Sequence, residues 1–461
     1  MTVEPSSTGA SSPSPLDRVL VLGLGAAVVY GALARGGFYI GEGFTVLLLV
    51  AVATAARIWL RRPTPSFVVV SAAALLGFAT WSGGSALLYG GVHAALPTAA
   101  LACGLAAALW SAAGLDASAR RVLQAVVLAS AVVVAFTGWL GVVLHVEPLV
   151  LRMGPVLRAA STLTYMNATA AFLVTALLLA VAVLLPNRRR LALLTVSALL
   201  LGLVITMSRA GLLTLVLGIL VLLASDQYRA RLLSLWPVVP ATAAAAVGLL
   251  PALPAAAGPQ PLPALAGILA GLAILLLERR TVLLAVGLVL GSVLGAVMVV
   301  ASASTLERIA SLRITLTDPT RIDVARVTAA QFLASPLTGV GPGRLDLVYV
   351  DHKGRLVHAE YTHNEYLQTA AETGMVGLAL VVTALGALAL AAALRWRTTA
   401  GPPVLALVTA FAVHSAFDFL WHIPVLPLLV VVCAVPLMSQ QGRQHGYNTQ
   451  DRHRNRAGGR R

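Results

Sequence analysis

The sequence predicts an all-α fold: a polytopic transmembrane helical bundle of about 12–14 spans with one long extracytoplasmic loop containing short helices. Three observations predict it. Of 461 residues, 59% are hydrophobic and only 11% charged, against roughly 25% charged in an ordinary soluble domain. Mean hydropathy is +0.89. Apolar runs of about 20 residues recur between short arginine-rich connections. Polar side chains must cover whatever faces water, so a set of soluble domains is excluded. The net charge of +15 does not point to nucleic acid, because the basic residues recur as clusters between apolar runs.

Fourteen candidate spans follow in order: about 17–34, 43–60, 66–82, 93–114, 122–144, 163–185, 191–207, 210–225, 233–253, 262–277, 281–301, 374–394, 402–419 and 423–439. The short pair flanking Arg209 and the Pro/Ala-rich pair near 233–277 are the weakest in pattern. The clusters Arg61-Arg62, Arg120-Arg121, Arg188-Arg189-Arg190, Arg229/Arg231, Arg279-Arg280 and Arg395/Arg397 fall at alternate connections, all on one side. The opposite short connections carry only Arg35, Arg152, Arg158 and Arg209. This phase puts both termini in the cytoplasm. Residues 1–16, Ser/Pro-rich and without a basic n-region, read as a disordered cytoplasmic tail, and 440–461 as a basic cytoplasmic tail. Spans 1–11 then occupy 17–301, and spans 12–14 occupy 373–439.

Residues 302–372 form the one long connection, and this orientation places it outside the membrane. Pro319 to Ser335 reads as an amphipathic helix with Val324, Val327 and Phe332 on its apolar side and Arg321, Asp323 and Arg326 on its polar side. A glycine turn, LTGVGPG, follows. Thr362-His363-Asn364-Glu365 has the form of a capping box, Thr at N-cap and Glu at N3, with Gly374 as the terminator of the helix it opens.

Chemistry concentrates at this face. Eight of the 17 acidic residues lie in the loop, and seven of the nine histidines (93, 145, 352, 358, 363, 414 and 422) map to the outer half. The spans are nearly free of ionisable groups, whereas an ion-coupled transporter needs charges near the midplane. A surface enzyme acting on a membrane-borne substrate fits this asymmetry better than a solvated cap. Arg209, in MSRAG between two apolar runs, needs an anionic partner. A phosphate at headgroup level matches guanidinium with a two-pronged hydrogen bond; the bland alternative is snorkelling or a helix cap. The capping box would set His363 at the first helical position, where the macrodipole disfavours imidazolium and leaves a ring able to act as general base. Its bland alternative is a hydrogen-bonding surface histidine. His358 and His363 are five apart, not the spacing of a helical zinc pair, and the GxG elements at Gly339, Gly341 and Gly343 lack strand–helix context. No cofactor and no metal site is expected. Cys103 and Cys433 lie in apolar runs and predict no disulfide.

Four stretches resemble the O-antigen ligase and polymerase family of membrane glycosyltransferases. They are SRAGLL at 208–213; Arg321 followed fifteen residues later by Pro336 in SPLTGVGPG; His363-Asn364-Glu365-Tyr366-Leu367-Gln368 followed by Glu372-Thr373-Gly374 and Gly377; and His414-Ser415-Ala416-Phe417-Asp418 with His422-Ile423-Pro424. Tyr165-Met166-Asn167-Ala168 is a weaker echo. The resemblance covers about 160–430; one departure is Ala325, where the family pattern often has an aromatic. It implies transfer of a glycan from undecaprenyl (polyprenyl) pyrophosphate to an acceptor saccharide or glycolipid outside the cytoplasm, without nucleotide sugar or metal, in cell-surface polysaccharide biosynthesis. Position by position, it implies that Arg209 and Arg321 bind the pyrophosphate and His363 activates the acceptor hydroxyl. Arg326, Asn167 and Tyr366 are expected to bind substrate, and His414 and Asp418 to support the site. The expected partners are the lipid-linked donor, the acceptor and membrane lipid, with no nucleic acid, in the plasma membrane. The rival from another class is a lipid-linked saccharide flippase, which would line a two-sided cavity with Arg209 and Arg321.

Overall fold

The structure is a computed structural model that describes residues 13–89, 91–277, 307, 319–350 and 354–439. The span expected at 281–301, the loop between 302 and 318 other than Glu307, the pair Asp351-His352, and residues 1–12 and 440–461 of the two tails lie outside the described residues.

Among the described residues the chain forms fifteen α-helices and two short β-hairpins. The helices are α1 (Pro15–Leu33), α2 (Ile40–Trp59), α3 (Ser66–Leu88), α4 (Val92–Ala113), α5 (Ala117–Leu144), α6 (Met166–Val183), α7 (Arg189–Thr206), α8 (Arg209–Leu223), α9 (Asp226–Leu233), α10 (Val238–Leu249), α11 (Pro261–Leu277), α12 (Pro319–Ala334), α13 (Glu365–Leu394), α14 (Gly401–Ser415) and α15 (Val425–Met438). Eight are long and apolar enough to cross a membrane. α8 and α9, bent by 119° at the break between them, reach that length only when taken together, and α10, α11, α14 and α15 are shorter apolar helices. Each matches a span expected from the sequence, leaving only 281–301 undescribed. The chain is a multi-pass membrane protein of all-α class.

Local chemistry explains the helix ends. Ser14 caps α1, its Oγ accepting from Asp17 N at 3.2 Å, with Pro15 at the first helical position. Asp116 caps α5, accepting from Ala119 N at 2.7 Å. At that same end Asp17, fully buried, takes both guanidinium nitrogens of Arg62, at 2.6 and 2.8 Å, and Asp116 N at 3.2 Å. A buried ion pair persists only with its remaining lone pairs satisfied, and this one ties α1 to the α2–α3 and α4–α5 connections. α6 lies at the centre, with fifteen of its eighteen residues buried.

The opposite end gathers the functional motifs. The hairpin Val150–Met153 (β1) with Val156–Ala159 (β2), antiparallel with Val150 opposite Ala159, is not legible as strands in the sequence. In the long loop α12 has the expected bounds to within one residue. Its Val324 and Val327 pack with Leu347 and Tyr349, the latter in the antiparallel hairpin Val348–Val350 (β3) with Leu356–His358 (β4). Gln331 clasps the chain beyond the turn, donating to Asp346 O at 2.6 Å and accepting from Asp346 N at 3.1 Å.

Two expectations are corrected here. The cap of α13 is Asn364, whose side chain accepts from Leu367 N at 3.0 Å, and not Thr362. Thr362 Oγ1 instead donates to Asn364 O at 2.7 Å, because Asn364 is one of the best N-cap residues and outcompetes a Thr two positions earlier. Gly374 does not terminate the helix. It breaks it, at φ 69° and ψ −173°, and the span continues to Leu394. Only glycine adopts that conformation readily. The break lets the chain at 336–341 lie against α13: Met375 N donates to Pro336 O at 2.8 Å, Val340 N to Ala371 O and Gly341 N to Glu372 O, each at 2.9 Å.

Candidate functional site

His363 precedes the α13 cap and sits in the left-handed region at φ 53°. It is not at the first helical position, so the macrodipole argument does not apply to it. A non-glycine residue held at positive φ is strained, and such residues cluster at functional sites. The ring is fixed by Asp418: His363 Nδ1 lies 3.0 Å from Asp418 Oδ1. Asp418 is fully buried in the turn between α14 and α15.

Asp418 is the hub. Its Oδ2 accepts from Tyr165 Oη at 2.7 Å and from Asn167 Nδ2. Burial pushes this carboxyl up, but the hydrogen bond from His363, its charge, Tyr165 and the nearby Arg321 outweigh it and hold Asp418 below the usual carboxylate range. Asn167 carries the network onward, its Oδ1 accepting from Ser208 Oγ at 2.8 Å. Ser208 is in turn the N-cap of α8, accepting from Gly211 N at 3.2 Å, so Arg209 is the first residue of that helix. Its guanidinium is exposed at a helix N-terminus, a place that favours anions. Buried Arg158 from β2 sets this corner by donating to Thr206 O at 2.9 Å and Met207 O at 3.1 Å, the last carbonyls of α7.

Arg321 approaches from α12. Its Nη1 donates to Phe417 O at 2.7 Å, one residue before Asp418. Buried His414 lies in the last turn of α14 and shares the charges of Asp418 and Arg321. The structure thus brings Asn167, His363, His414, Asp418 and Arg321 together, with Arg209 one residue from the network. It does not bring in Arg326, whose side chain is 77% exposed and pairs with Asp323 at 3.5 Å. Tyr366 faces α14, its hydroxyl donating to Ala412 O at 2.7 Å.

Sequence reasoning missed several participants. Tyr165 enters the sequence reading only as part of YMNA, although a tyrosine two residues before an Asn is a usable signal. The ring of Phe419 stacks on Tyr165 at 5.2 Å and on Tyr361 at 4.4 Å, and lies 5.3 Å from His363. Glu365, expected to cap α13, accepts from Trp421 N at 3.1 Å. A cavity of about 570 Å³ opens next to this stack, lined by Tyr361 and Glu365 but not by Arg209, Arg321 or His363. These three side chains therefore sit beside the cavity and not within it.

Residues 261–382 match the family described as O-antigen ligase. The match takes in α12, the glycine turn, His363 and the first half of α13, and it supports an O-antigen ligase-like function in polysaccharide synthesis. No curated protein matches the chain. Residues 261–382, where the second and third motifs stand, are thus similar to the O-antigen ligase family.

Proposed function

We propose that the protein transfers a glycan from a polyprenyl pyrophosphate to an acceptor saccharide at the extracytoplasmic face of the plasma membrane. The observation that carries this reading is the convergence on Asp418: an imidazole from the start of α13, a tyrosine and an amide at the start of α6, and, next to it, the Arg321 contact to Phe417. An imidazole whose Nδ1–H donates to a buried carboxylate presents Nε2 as a proton acceptor. In a single inverting displacement the acceptor oxygen bonds to the anomeric carbon as the bond to pyrophosphate oxygen breaks. The hydroxyl proton passes to His363 Nε2, and the negative charge grows on the departing diphosphate. Fixed guanidinium groups stabilise such charge more in the transition state than in the bound ester; on this reading Arg321, and Arg209 at its helix N-terminus, take that task. Asp418 orients the ring and stabilises the imidazolium. Tyr366 braces α13 against α14, and Arg326 is left to meet substrate at the rim. The positive-inside pattern puts this end outside and both termini in the cytoplasm.

The test is reconstitution with lipid-linked glycan and acceptor. Transfer by the parent and loss in His363→Ala and Arg321→Ala are expected; full activity in both variants rejects the mechanism. Movement of the lipid-linked glycan across the bilayer with no transfer by the parent would point to a flippase.

A further inference from the structure

The cavity beside the aromatic stack has a composition opposite to that of the arginine site. At about 570 Å³ it lies in the range of small-molecule sites. α2, α4, α13 and the turn at Leu420–His422 enclose it. Its acid, amide and imidazole groups are Glu360, Glu365, Gln368, Glu372 and His422, of which Glu365 and Glu372 are buried acids and Glu360 is exposed. Gln368 Nε2 donates to Glu372 Oε1 at 3.1 Å and lies 3.2 Å from His422 Nε2. His422 Nδ1 is 3.3 Å from Glu365 Oε1, an ion-pair distance without hydrogen-bond alignment. Facing these groups are aromatic rings from Phe38, Tyr39, Tyr361 and Trp421. The buried Trp421 Nε1 has no hydrogen-bond partner among the described residues, and a buried donor without a partner calls for a ligand that supplies oxygen.

We infer that this cavity seats the acceptor saccharide; the inference rests on the transferase reading above. Three carboxyl groups, from Glu360, Glu365 and Glu372, line the cavity with one imidazole and no arginine, so it disfavours a diphosphate and suits a hydroxyl-rich neutral or cationic group. Aromatic faces with carboxylate and amide acceptors match the two sides of a pyranose, its C–H face and its hydroxyls. An alkyl chain would cover these polar side chains and add no hydrogen bond to them. Tyr361 lines the cavity and stands two residues before His363, so an acceptor seated there extends past the edge of the Tyr361 and Phe419 rings to bring its reacting hydroxyl to the imidazole. The stack of Tyr361, Phe419 and Tyr165 then lies between the arginine-bearing donor site and the carboxylate-lined cavity, and the reacting hydroxyl meets the donor at its His363 edge.

The test uses the full-length protein in nanodiscs, with saturation-transfer NMR. The probes are N-acetylglucosamine and galactose, contrasted with inorganic pyrophosphate and farnesol. Thr98→Trp fills the cavity from α4, and Tyr39→Ala removes a rim aromatic that carries little of the fold. Pyranose binding is expected in the parent and weakened about tenfold by either variant, the scale of one aromatic contact, with pyrophosphate binding unchanged. In transfer assays both variants raise the acceptor KM and leave the donor KM alone. Pyranose binding absent from the parent, or unaffected by both variants, overturns the inference, as does cavity-dependent binding of farnesol in its place. Transfer intact with acceptor KM unchanged sinks the cavity and spares the proposed activity; cavity-dependent pyranose binding with no transfer does the reverse.

Discussion

At the scale of the residue, the chemistry turns on how side chains are held. Asp418 is fully buried, yet its lone pairs go to His363, Tyr165 and Asn167. Asp418→Asn is expected to lower kcat by roughly 10³- to 10⁴-fold with a smaller change in donor KM, as loss of the orienting carboxylate does in hydrolytic triads; steady-state kinetics check it. The carboxyl also links stability to pH. A folded-state value below the ordinary one means stability present above the unfolded value and lost as pH falls through the folded one. His422 has the opposite sign. Burial works against its charge, but Glu365 and Glu372 outweigh it, so its contribution is complete below the ordinary histidine value and fades as pH rises through the elevated one. Melting curves across pH should therefore show an acid-side loss that Asp418→Asn flattens and an alkaline-side loss that His422→Asn flattens. The residue types His363, Arg321 and Arg209 were legible because their motifs are local in sequence. The role of Asp418 as hub was not, since its partners come from positions 165, 167 and 363 and only folding brings them together.

At the scale of the element, Gly374 shows what pattern can and cannot tell. A glycine after a helical run reads as an end, and here it is a break, because the apolar run beyond it resumes the helix and packs against the bundle again at Val381, Ala384 and Leu388. A Cβ at 374 would strike the Leu337 carbonyl, and φ 69° with ψ −173° strains any other residue. Gly374→Ala is expected to cost about 3 kcal/mol or more, visible as a fall in melting temperature and in folded yield, with the 336–341 turn released from α13. Ser208→Ala is milder. Loss of the cap costs about 1 kcal/mol, and loss of the Asn167 bond lets Arg209 drift, so donor KM should rise with little change in melting. Helices with long apolar runs were readable from hydropathy, whereas both hairpins escaped notice. Their strands are only three or four residues long, too short for alternation to register.

At the scale of the whole molecule, charge is divided between the two ends of the bundle. The Asp17–Arg62 pair and the clustered arginines occupy one end; the His363 site, the buried acids and both hairpins occupy the other. The positive-inside rule then predicts sidedness. In a variant with Cys103 and Cys433 replaced by Ala, a cysteine at Gly354 should react with an impermeant maleimide from outside intact cells. One at Asn187 should react only after permeabilisation, and the reverse pattern would invert the topology. Most of the bundle was legible because a bilayer demands about 20 apolar residues per span. The cavity was not, being assembled from α2, α4, α13 and the turn before α15, which no local pattern connects. The central claim, that an Asp418-held imidazole deprotonates an acceptor while arginines take up the leaving diphosphate, is tested most directly by following one round of transfer in nanodiscs. Anomeric configuration would be read by NMR in the donor and in the product. The account predicts inversion at the anomeric carbon in the parent and no product from His363→Ala; retained configuration, or an undiminished rate in that variant, would contradict it.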